Sequence, residues 1–340
     1  MRPTSLIQLR PAEFDIHFPA PCRSDAMQAL NAHTEVLHPT PVTDLRDPEV
    51  ADLLPQVDIL VTGWRSQPVD AELLGRMPRL KLVAHLAGTV KGILSQGVAG
   101  TGLRVLSAAE ANAKPVAEFT LAHILLHLKR VSDWREIYRE KRSRIDSRNT
   151  SFGGPLGNSG RTVGIIGASR IGRRVAEDLH RHGVAVLLHD PFVSAETAAG
   201  FGAQKVEMDE LLSKSDVVSL HQPLLPTTER SFGAGQFALM RDGALLINTA
   251  RGRIIDSAAL EVAMADGRLS AVLDVTDPEP LPDDSPLWDM PNVTITPHIA
   301  GSFGCEVCDM TRLVLDDIGR FARGEEMQNE VALADWERVA

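Results

Sequence analysis

The sequence predicts an α/β fold, because short apolar runs alternate with helical segments along most of the chain. In the second half the runs are mostly β-branched or aliphatic: TVGII (Thr162–Ile166), VAVLL, DVVSL, ALLIN and SAVLD. Such continuous apolar character suits strands that are covered on both faces of a parallel sheet. Between them lie helical segments such as Arg170–His182 and Asp256–Gly267, the second bounded by an aspartate cap and a glycine. We therefore expect a parallel sheet with helices on both faces.

The first half repeats this pattern, so we expect two α/β units. Its strand candidates are SLIQL, VDILVTG, KLVAHLAG and LRVLSA, and its helix candidates are SDAMQALNAH and DAELLGRM. One long helix is expected to begin at Pro115, a residue suited to a first helical turn, and to run to Arg142. The polar, glycine-rich stretch Ser143–Arg161 then leads to the strand Thr162–Ile166.

Composition excludes several classes of protein. Of the 340 residues, 44% are apolar and 24% are charged, as in ordinary soluble globular proteins. The formal net charge of −10 and the lack of a long basic run argue against a nucleic-acid partner. No run approaches ~18 apolar residues, the length that a membrane span needs, and the first residues lack the apolar core of a signal peptide. Three cysteines form no disulfide framework, so we expect reduced thiols and a cytoplasmic protein.

A glycine-rich turn follows the strand Thr162–Ile166, in the sequence GIIGASRIG. In the G-x-G-x-x-G pattern of dinucleotide sites, Gly167 and Gly172 hold the first and third positions, whereas Ser169 holds the second. The hydroxyl of Ser169 either donates to a phosphate oxygen or merely fits beside it. Arg170 and Ile171 complete the turn and open a helix, whose N-terminus attracts phosphate.

An aspartate follows the next strand at the distance expected for a ribose-binding acid. Asp190 ends VAVLLHD, and its carboxylate would accept hydrogen bonds from the adenosine ribose hydroxyls. It would also repel the 2′-phosphate of NADP, so NAD is favoured. In the alternative interpretation, Asp190-Pro191 is only a turn that ends a strand. Together with the α/β pattern of both halves, this strand, turn, helix and acid predict a fold of two Rossmann/flavodoxin-like domains with parallel sheets and a cleft between them.

Three candidate catalytic residues follow three other strands. Arg251 follows ALLIN, Glu279 follows SAVLD, and His298 follows NVTIT. Open α/β sheets form their binding crevice at the edge where the carboxyl ends of the strands lie, and all three residues are expected there. An arginine grips a carboxylate with its planar fork, a histidine moves a proton near neutral pH, and a carboxylate orients an imidazole and favours its charged form. The three suit chemistry on a 2-keto acid. In the alternative, each has a structural role: an ion pair, a loop cap and a buried turn.

Six motifs together resemble the D-isomer-specific 2-hydroxyacid dehydrogenase family over nearly the whole chain. They are GIIGASRIG, HDPF, HQPLLPTTE, NTARG, LDVTDPEP and TPHIAG, in the family's order and near its spacings. The segment NAKPVAEFTLA also matches the family's helix that enters the cofactor domain.

The resemblance implies a role for each matching residue. Arg251 would bind the substrate carboxylate and polarise its carbonyl, His298 would be the general acid/base, and Glu279 would pair with it. Backbone N–H groups of Ala87, Gly88 and Thr89 would hold the carboxylate. The remaining cofactor-binding residues would be His221, Pro223, Thr228, Thr249, Ala250 and Asp274. No metal is implied.

The resemblance also implies the domains, the partner and the reaction. Residues 1–112 and 300–340 would form a discontinuous substrate domain and residues 113–299 the NAD-binding domain, with dimerisation through the latter. The expected reaction interconverts a 2-keto acid and a D-2-hydroxy acid with NAD. The alternative is an NAD(H)-sensing binding protein, because some relatives are transcriptional corepressors; a third possibility is a different NAD enzyme on the same fold.

Departures from the family pattern affect the pocket. Thr276 and Asp277 replace an aromatic residue and an acidic or small residue, and Ala168 replaces a larger apolar one. Formate-oxidising relatives carry glutamine where this chain has Glu279, which argues against formate as substrate. The sequence does not identify the acid.

Other histidines and cysteines admit two interpretations each. His123 and His127, four residues apart, form either a metal pair or part of a half-buried helix, and the structural role is favoured. His85 either touches substrate or faces away at a strand end. Cys305 and Cys308 form a C-x-x-C spacing without a second pair, and we expect small packing residues.

Overall fold

The computed structural model describes residues 2–98, 101–145 and 156–338, and it divides the chain into two compact units. One unit comprises Met1–Pro115 with Gly301–Ala340, and the other comprises Val116–Ala300. The expected boundaries were 112/113 and 299/300. Most of the stretch expected to precede the strand Thr162–Ile166 lies outside the described residues.

The strands, in chain order, are β1 (Thr4–Ile7), β2 (Glu35–Val36), β3 (Ile59–Thr62), β4 (Leu82–His85), β5 (Arg104–Ser107), β6 (Thr162–Ile166), β7 (Ala185–His189), β8 (Ala203–Lys205), β9 (Val217–Leu220), β10 (Leu245–Asn248), β11 (Ser270–Leu273) and β12 (Val293–Ile295). The helices are α1 (Pro11–His17), α2 (Arg23–His33), α3 (Ala71–Arg76), α4 (Ala109–Leu128), α5 (Val131–Lys141), α6 (Arg170–Arg181), α7 (Ala195–Gly200), α8 (Met208–Lys214), α9 (Ala234–Leu239), α10 (Ser257–Ala265) and α11 (Glu306–Ala322).

Each unit is built on a parallel sheet, which confirms the predicted fold class. The first has the order β2-β1-β3-β4-β5 and the second β12-β11-β10-β9-β6-β7-β8. Every pairing between neighbouring strands is parallel. In the second sheet the order reverses between β6 and β9, the place where ligands bind open α/β sheets.

Side chains of each central strand bury in two different cores. On β10, Leu245 and Ile247 belong to one apolar cluster and Leu246 to another, because successive side chains point to opposite faces. On β3, Ile59 and Leu60 divide in the same way. The continuous apolar runs of the sequence therefore reflect burial on both faces.

The structure corrects the predicted long helix. Helix α4 begins at Ala109, so Pro115 lies inside it rather than in its first turn. Arg130 then adopts a left-handed backbone conformation, and a separate helix α5 follows. A proline removes one backbone hydrogen bond but leaves the remaining ones to hold the helix. The short strands β2 and β8 and the short helices α1, α7, α8 and α9 were not predicted, since few residues carry their pattern.

The expectation of three reduced thiols is wrong. Cys22 is disulfide-bonded to Cys308, with 6.1 Å between their Cα atoms, and joins the N-terminal end of α2 to the first turn of α11. Cys305 is exposed and free. The pair lies 286 residues apart in sequence, so no local spacing could reveal it. Cys308 therefore pairs with Cys22 and not with its C-x-x-C neighbour.

The disulfide predicts the outcome of thiol labelling. When unreduced protein is denatured and alkylated, peptide mapping should find label on Cys305 alone. Cys22→Ser should lower the free energy of unfolding by about 2–4 kcal/mol, because the crosslink restricts the unfolded chain. Cys305→Ser is the matched control and should leave it unchanged. Alkylation of all three cysteines would contradict the pairing.

Candidate active site

The turn after β6 requires both of its glycines. Gly167 has φ +95°, a region that side chains rarely tolerate, and a Cβ there would lie 2.6 Å from the backbone nitrogen of Gln222. A Cβ on Gly172 would lie 2.2 Å from the carbonyl oxygen of Gly167. The turn is thus packed tightly against the start of α6 and the loop after β9.

Ser169 is the N-cap of α6. Its Oγ accepts a hydrogen bond from the Gly172 N–H at 3.2 Å, which satisfies one of the free donors of the first turn. The hydroxyl proton is not used in that bond and is available to another acceptor. Arg170 is exposed at the first helical residue, and Ile171 packs against the core under β6. Ser169 therefore caps the N-terminus of α6 with its side chain, which a glycine at this position of the pattern could not do.

Asp190 is tied to the glycine turn. Its Oδ2 accepts from the Ala168 N–H at 2.7 Å and its Oδ1 from the Phe192 N–H at 2.8 Å. The bond from Phe192 closes the strand-ending turn that the alternative interpretation of Asp190-Pro191 predicts. Because a carboxylate has about four acceptor positions, two remain for ribose hydroxyls, and both interpretations are compatible.

The loop after β9 is closed by its own side chains. His221 is buried, and its Nε2 lies 2.8 Å from Ser219 Oγ. Burial lowers the pKa of His221 to about 3, so its imidazole is neutral. The Thr228 hydroxyl donates to the Pro223 carbonyl at 2.6 Å and accepts from the Leu225 N–H at 2.8 Å. These side chains fix the backbone of the loop.

Asn248 shapes the turn that carries Arg251. Its Oδ1 accepts from the Ala250 N–H at 3.0 Å, and its Nδ2 donates to the Arg251 carbonyl at 2.9 Å. Thr249 follows Asn248 in this turn, and its hydroxyl lies 3.3 Å from that of Thr120 on α4. Sequence reasoning missed Asn248, although an asparagine at a strand end is a turn signal.

Arg251, Glu279 and His298 come together past the ends of β10, β11 and β12. His298 Nδ1 lies 2.7 Å from Glu279 Oε1, and both side chains are about half-exposed. Burial lowers the pKa of Arg251 below its usual range, and the Glu279 charge opposes that shift. Arginine remains protonated regardless, since its unperturbed pKa exceeds 12. Glu279 thus contacts His298 and also interacts with the charge of Arg251.

Close packing fixes the distance between the loop of Arg251 and the loop of Glu279. A Cβ on Gly252, the residue after Arg251, would lie 1.9 Å from the carbonyl oxygen of Thr276. Ser257 Oγ also donates to the Asp277 carbonyl at 2.8 Å. Only glycine permits this approach, and the sequence offered no separate signal for it.

Asp274 lies beneath the loop of His298. Its buried carboxylate accepts hydrogen bonds from the Thr296 hydroxyl at 2.6 Å and from the N–H groups of Ile299 and Ala300 at 2.8 and 2.9 Å. The resemblance implied only a cofactor contact for this residue. Thr296 was not anticipated.

The candidate substrate loop, Ala87 to Thr89, follows β4 in the other unit. The Ala87 carbonyl accepts from the Ala108 N–H at 2.9 Å, and Gly88 lies next to Asn112. His85 is buried, with Nδ1 3.0 Å from the Thr62 hydroxyl. Burial lowers the pKa of His85 to about 4, although a hydrogen bond to the Thr89 backbone opposes the shift. His85 is thus buried at the end of β4 with its ring bonded to the backbone of the candidate substrate loop, and its contact with substrate stays a prediction.

His123 and His127 lie on α4 as predicted. Burial lowers the pKa of both, that of His127 to about 4. Within residues 2–98, 101–145 and 156–338, no three histidine, cysteine, aspartate or glutamate side chains gather as a metal site would require. In the same residues, no helix is both long and apolar enough to cross a bilayer.

The glycine turn, the capped helix and the reversal in strand order define a dinucleotide-binding α/β protein. A family model described as D-isomer specific 2-hydroxyacid dehydrogenase, NAD binding domain, matches residues 121–300. The chain therefore belongs to the D-isomer specific 2-hydroxyacid dehydrogenase family, whose members are NAD-binding oxidoreductases. The predicted family and cofactor are confirmed.

Individual relatives agree with this assignment. The chain is 33% identical over 296 residues to D-3-phosphoglycerate dehydrogenase of Archaeoglobus fulgidus, covering 87% of this chain and 55% of that protein. It is 32% identical over 269 residues to glyoxylate reductase of Korarchaeum cryptofilum, covering 78% and 80%. It thus spans about half the length of the phosphoglycerate dehydrogenases it matches. D-Lactate dehydrogenase from Aquifex aeolicus, solved with NAD and lactic acid, matches with a TM-score of 0.69 and 27% identity, over 94% of this chain and 96% of that one.

The tight turn predicts that Gly167→Ala will weaken NADH binding at least about 10-fold and lower the free energy of unfolding by more than ~1 kcal/mol, through strain and collision with Gln222. Fluorescence titration and chemical denaturation measure the two effects. Gly235→Ala, where an added Cβ meets nothing within 4 Å, is the matched control. Equal NADH affinity in all three proteins would contradict the role of the turn.

The buried neutral histidines predict acid sensitivity. His85 and His221 stay neutral in the folded protein until about pH 4 and 3, but in the unfolded chain they bind protons near pH 6.5. The free energy of unfolding should therefore be highest above pH 6.5 and fall below it, by up to about 1.4 kcal/mol per histidine per pH unit. Chemical denaturation at pH 7, 6 and 5 tests this before most carboxylates titrate. Equal stability at pH 7 and 5 would rule it out.

Proposed function

We propose that this protein interconverts a 2-keto acid and a D-2-hydroxy acid with NAD, and that His298 is the general acid/base. The observation that carries the proposal is the 2.7 Å contact between His298 Nδ1 and Glu279 Oε1, beside Arg251 and on the same sheet edge as the glycine turn. These are the groups that reduction of a carbonyl next to a carboxylate needs.

The residues around β6 fit a dinucleotide. The N-terminus of α6 would receive the pyrophosphate, with the Ser169 hydroxyl and Arg170 as donors, and Asp190 would accept from the ribose. The free acceptor position on Asp274 would suit the nicotinamide amide, and the backbone near His221, Pro223, Thr228, Thr249 and Ala250 would line the rest. When bound, NADH supplies the hydride.

Glu279 orients His298, and Arg251 binds the substrate. Because Glu279 accepts a hydrogen bond from Nδ1–H, the Nε2 atom of His298 is the one that gives a proton to the developing alkoxide, and in oxidation Nε2 takes it back. Arg251 binds the substrate carboxylate and stabilises negative charge on the carbonyl oxygen.

The substrate is proposed only as a class. The relatives named above are a phosphoglycerate dehydrogenase, a glyoxylate reductase and a D-lactate dehydrogenase. Their substrates share a carboxylate next to a carbonyl or hydroxyl carbon and differ in the side group. The functional groups of the site match the shared part, and Glu279 argues against formate.

We propose a homodimer in the cytoplasm as the assembly and location. Large apolar side chains on α4 and α5 support a protein partner, since Leu126, Val131 and Tyr138 are 50%, 43% and 61% exposed. The cytoplasmic location rests on the sequence alone, and the Cys22–Cys308 disulfide is unusual for that compartment.

A coupled assay tests the proposal. Wild-type protein should oxidise NADH in the presence of one or more 2-keto acids, and His298→Gln should lower kcat by about 10²–10⁴-fold because the proton donor is lost. His182→Gln, an exposed histidine at the end of α6, is the matched control and should retain full turnover. Arg251→Ala should lower kcat/KM with every acid.

Three outcomes would contradict parts of this account. Tight NADH binding without turnover of any acid would favour an NAD(H)-sensing protein. Full turnover by His298→Gln, with none by Arg251→Ala, would show that another group supplies the proton. A clear preference for NADPH over NADH would exclude the role given to Asp190.

A further inference from the structure

His298 has a backbone conformation that costs free energy. Its φ is +58°, in the left-handed region that residues with a Cβ seldom adopt. Such a conformation persists only where the surroundings hold it in place. The His298 N–H lies 3.0 Å from the Asp274 carbonyl oxygen and 2.9 Å from that of Thr296. These bonds anchor one side of the residue.

The Asp274 side chain anchors both flanks of His298. On the N-terminal flank, the Thr296 hydroxyl donates to Oδ1 at 2.6 Å. On the C-terminal flank, the Ile299 N–H donates to Oδ1 and the Ala300 N–H to Oδ2. Successive N–H groups next to a left-handed residue form a concavity that binds anions, and here the anion is a carboxylate of the same chain.

The loop of His298 uses most of the acceptor positions of the Asp274 carboxylate and leaves one for a cofactor. A carboxylate offers about four positions, and the loop of His298 uses three of them. Asp274 is 2% exposed, so its charge is compensated chiefly by these donors. Charge-assisted hydrogen bonds of this length are about twice as strong as neutral ones.

We propose that Asp274 and Thr296 are positioning residues, which hold His298 in its left-handed conformation and thereby keep its imidazole against Glu279. Displacing a catalytic group by about 1 Å costs roughly 10²-fold in rate. The kinetic consequence rests on the proposed function, whereas the structural consequence does not. Thr296 is the informative position, because its hydroxyl bonds to Asp274 and no cofactor role is assigned to it.

The test compares Thr296→Val with Thr296→Ser and with Thr294→Val. Thr294 is exposed on β12, two residues before Thr296, so its substitution is the same chemical change without the bond to Asp274. Thr296→Val should lower kcat about 10- to 100-fold, change the NADH Kd less than about 2-fold, and speed amide exchange at Ile299 and Ala300. Thr296→Ser should restore kcat, and Thr294→Val should match wild type.

Asp274→Asn gives a second measurement of the same contacts. The single oxygen of the amide cannot accept from Thr296, Ile299 and Ala300 together, so exchange at one or both of the Ile299 and Ala300 N–H groups should accelerate at least about 10-fold. Such exchange requires no substrate, so it decides the structural role even if wild type reduces no acid and the proposed function fails.

Two results would overturn the proposal. The first is a Thr296→Val protein with wild-type kcat and wild-type exchange at Ile299 and Ala300. The second is a loss of NADH affinity in Thr296→Val as large as its loss of kcat, which would show that the residue acts through the cofactor.

Discussion

The seven strands of the Val116–Ala300 sheet all run parallel, so their carboxyl ends lie along one edge and every loop that leaves that edge begins beside its neighbours. The glycine turn follows β6, Asp190 follows β7, Arg251 follows β10, Glu279 follows β11 and His298 follows β12. Chemically different groups from a stretch of more than a hundred residues are thus gathered by one topological rule. The buried faces of the strands make the edge rigid, which a site for hydride and proton transfer requires.

Topology brings the loops together, but local backbone geometry decides where each side chain lies. Gly167 takes a left-handed conformation, and Gly252 lets two loops approach to a distance that no side chain allows. His298 has a left-handed conformation despite its side chain, and the Asp274 carboxylate compensates that cost. In this site, Gly167 and Gly252 avoid strain and collision because they lack a side chain, whereas hydrogen bonds hold His298 in its strained conformation.

Much of the fold was predictable because continuous apolar runs reflect burial on both faces of a parallel sheet, and the strands β3 to β7 and β9 to β11 match such runs. The disulfide was not, because Cys22 and Cys308 become neighbours only when α2 and α11 pack together. Pro115 misled the prediction, since the residues before it are helical as well. In the site, residue types at strand ends indicated Arg251, Glu279 and His298. The bonds of Asp274, Thr296 and His85 depend on which side chains meet across loops, which one sequence does not encode locally.

A crystal structure with NADH and a 2-keto acid analogue such as oxamate tests the central claim most directly. The account predicts that His298 keeps its bond to Glu279 and places Nε2 within about 2.6–3.2 Å of the carbonyl oxygen of the analogue, with Arg251 on the same ligand. It would be contradicted if the analogue bound with His298 turned away from Glu279, or with another side chain as the donor to that oxygen.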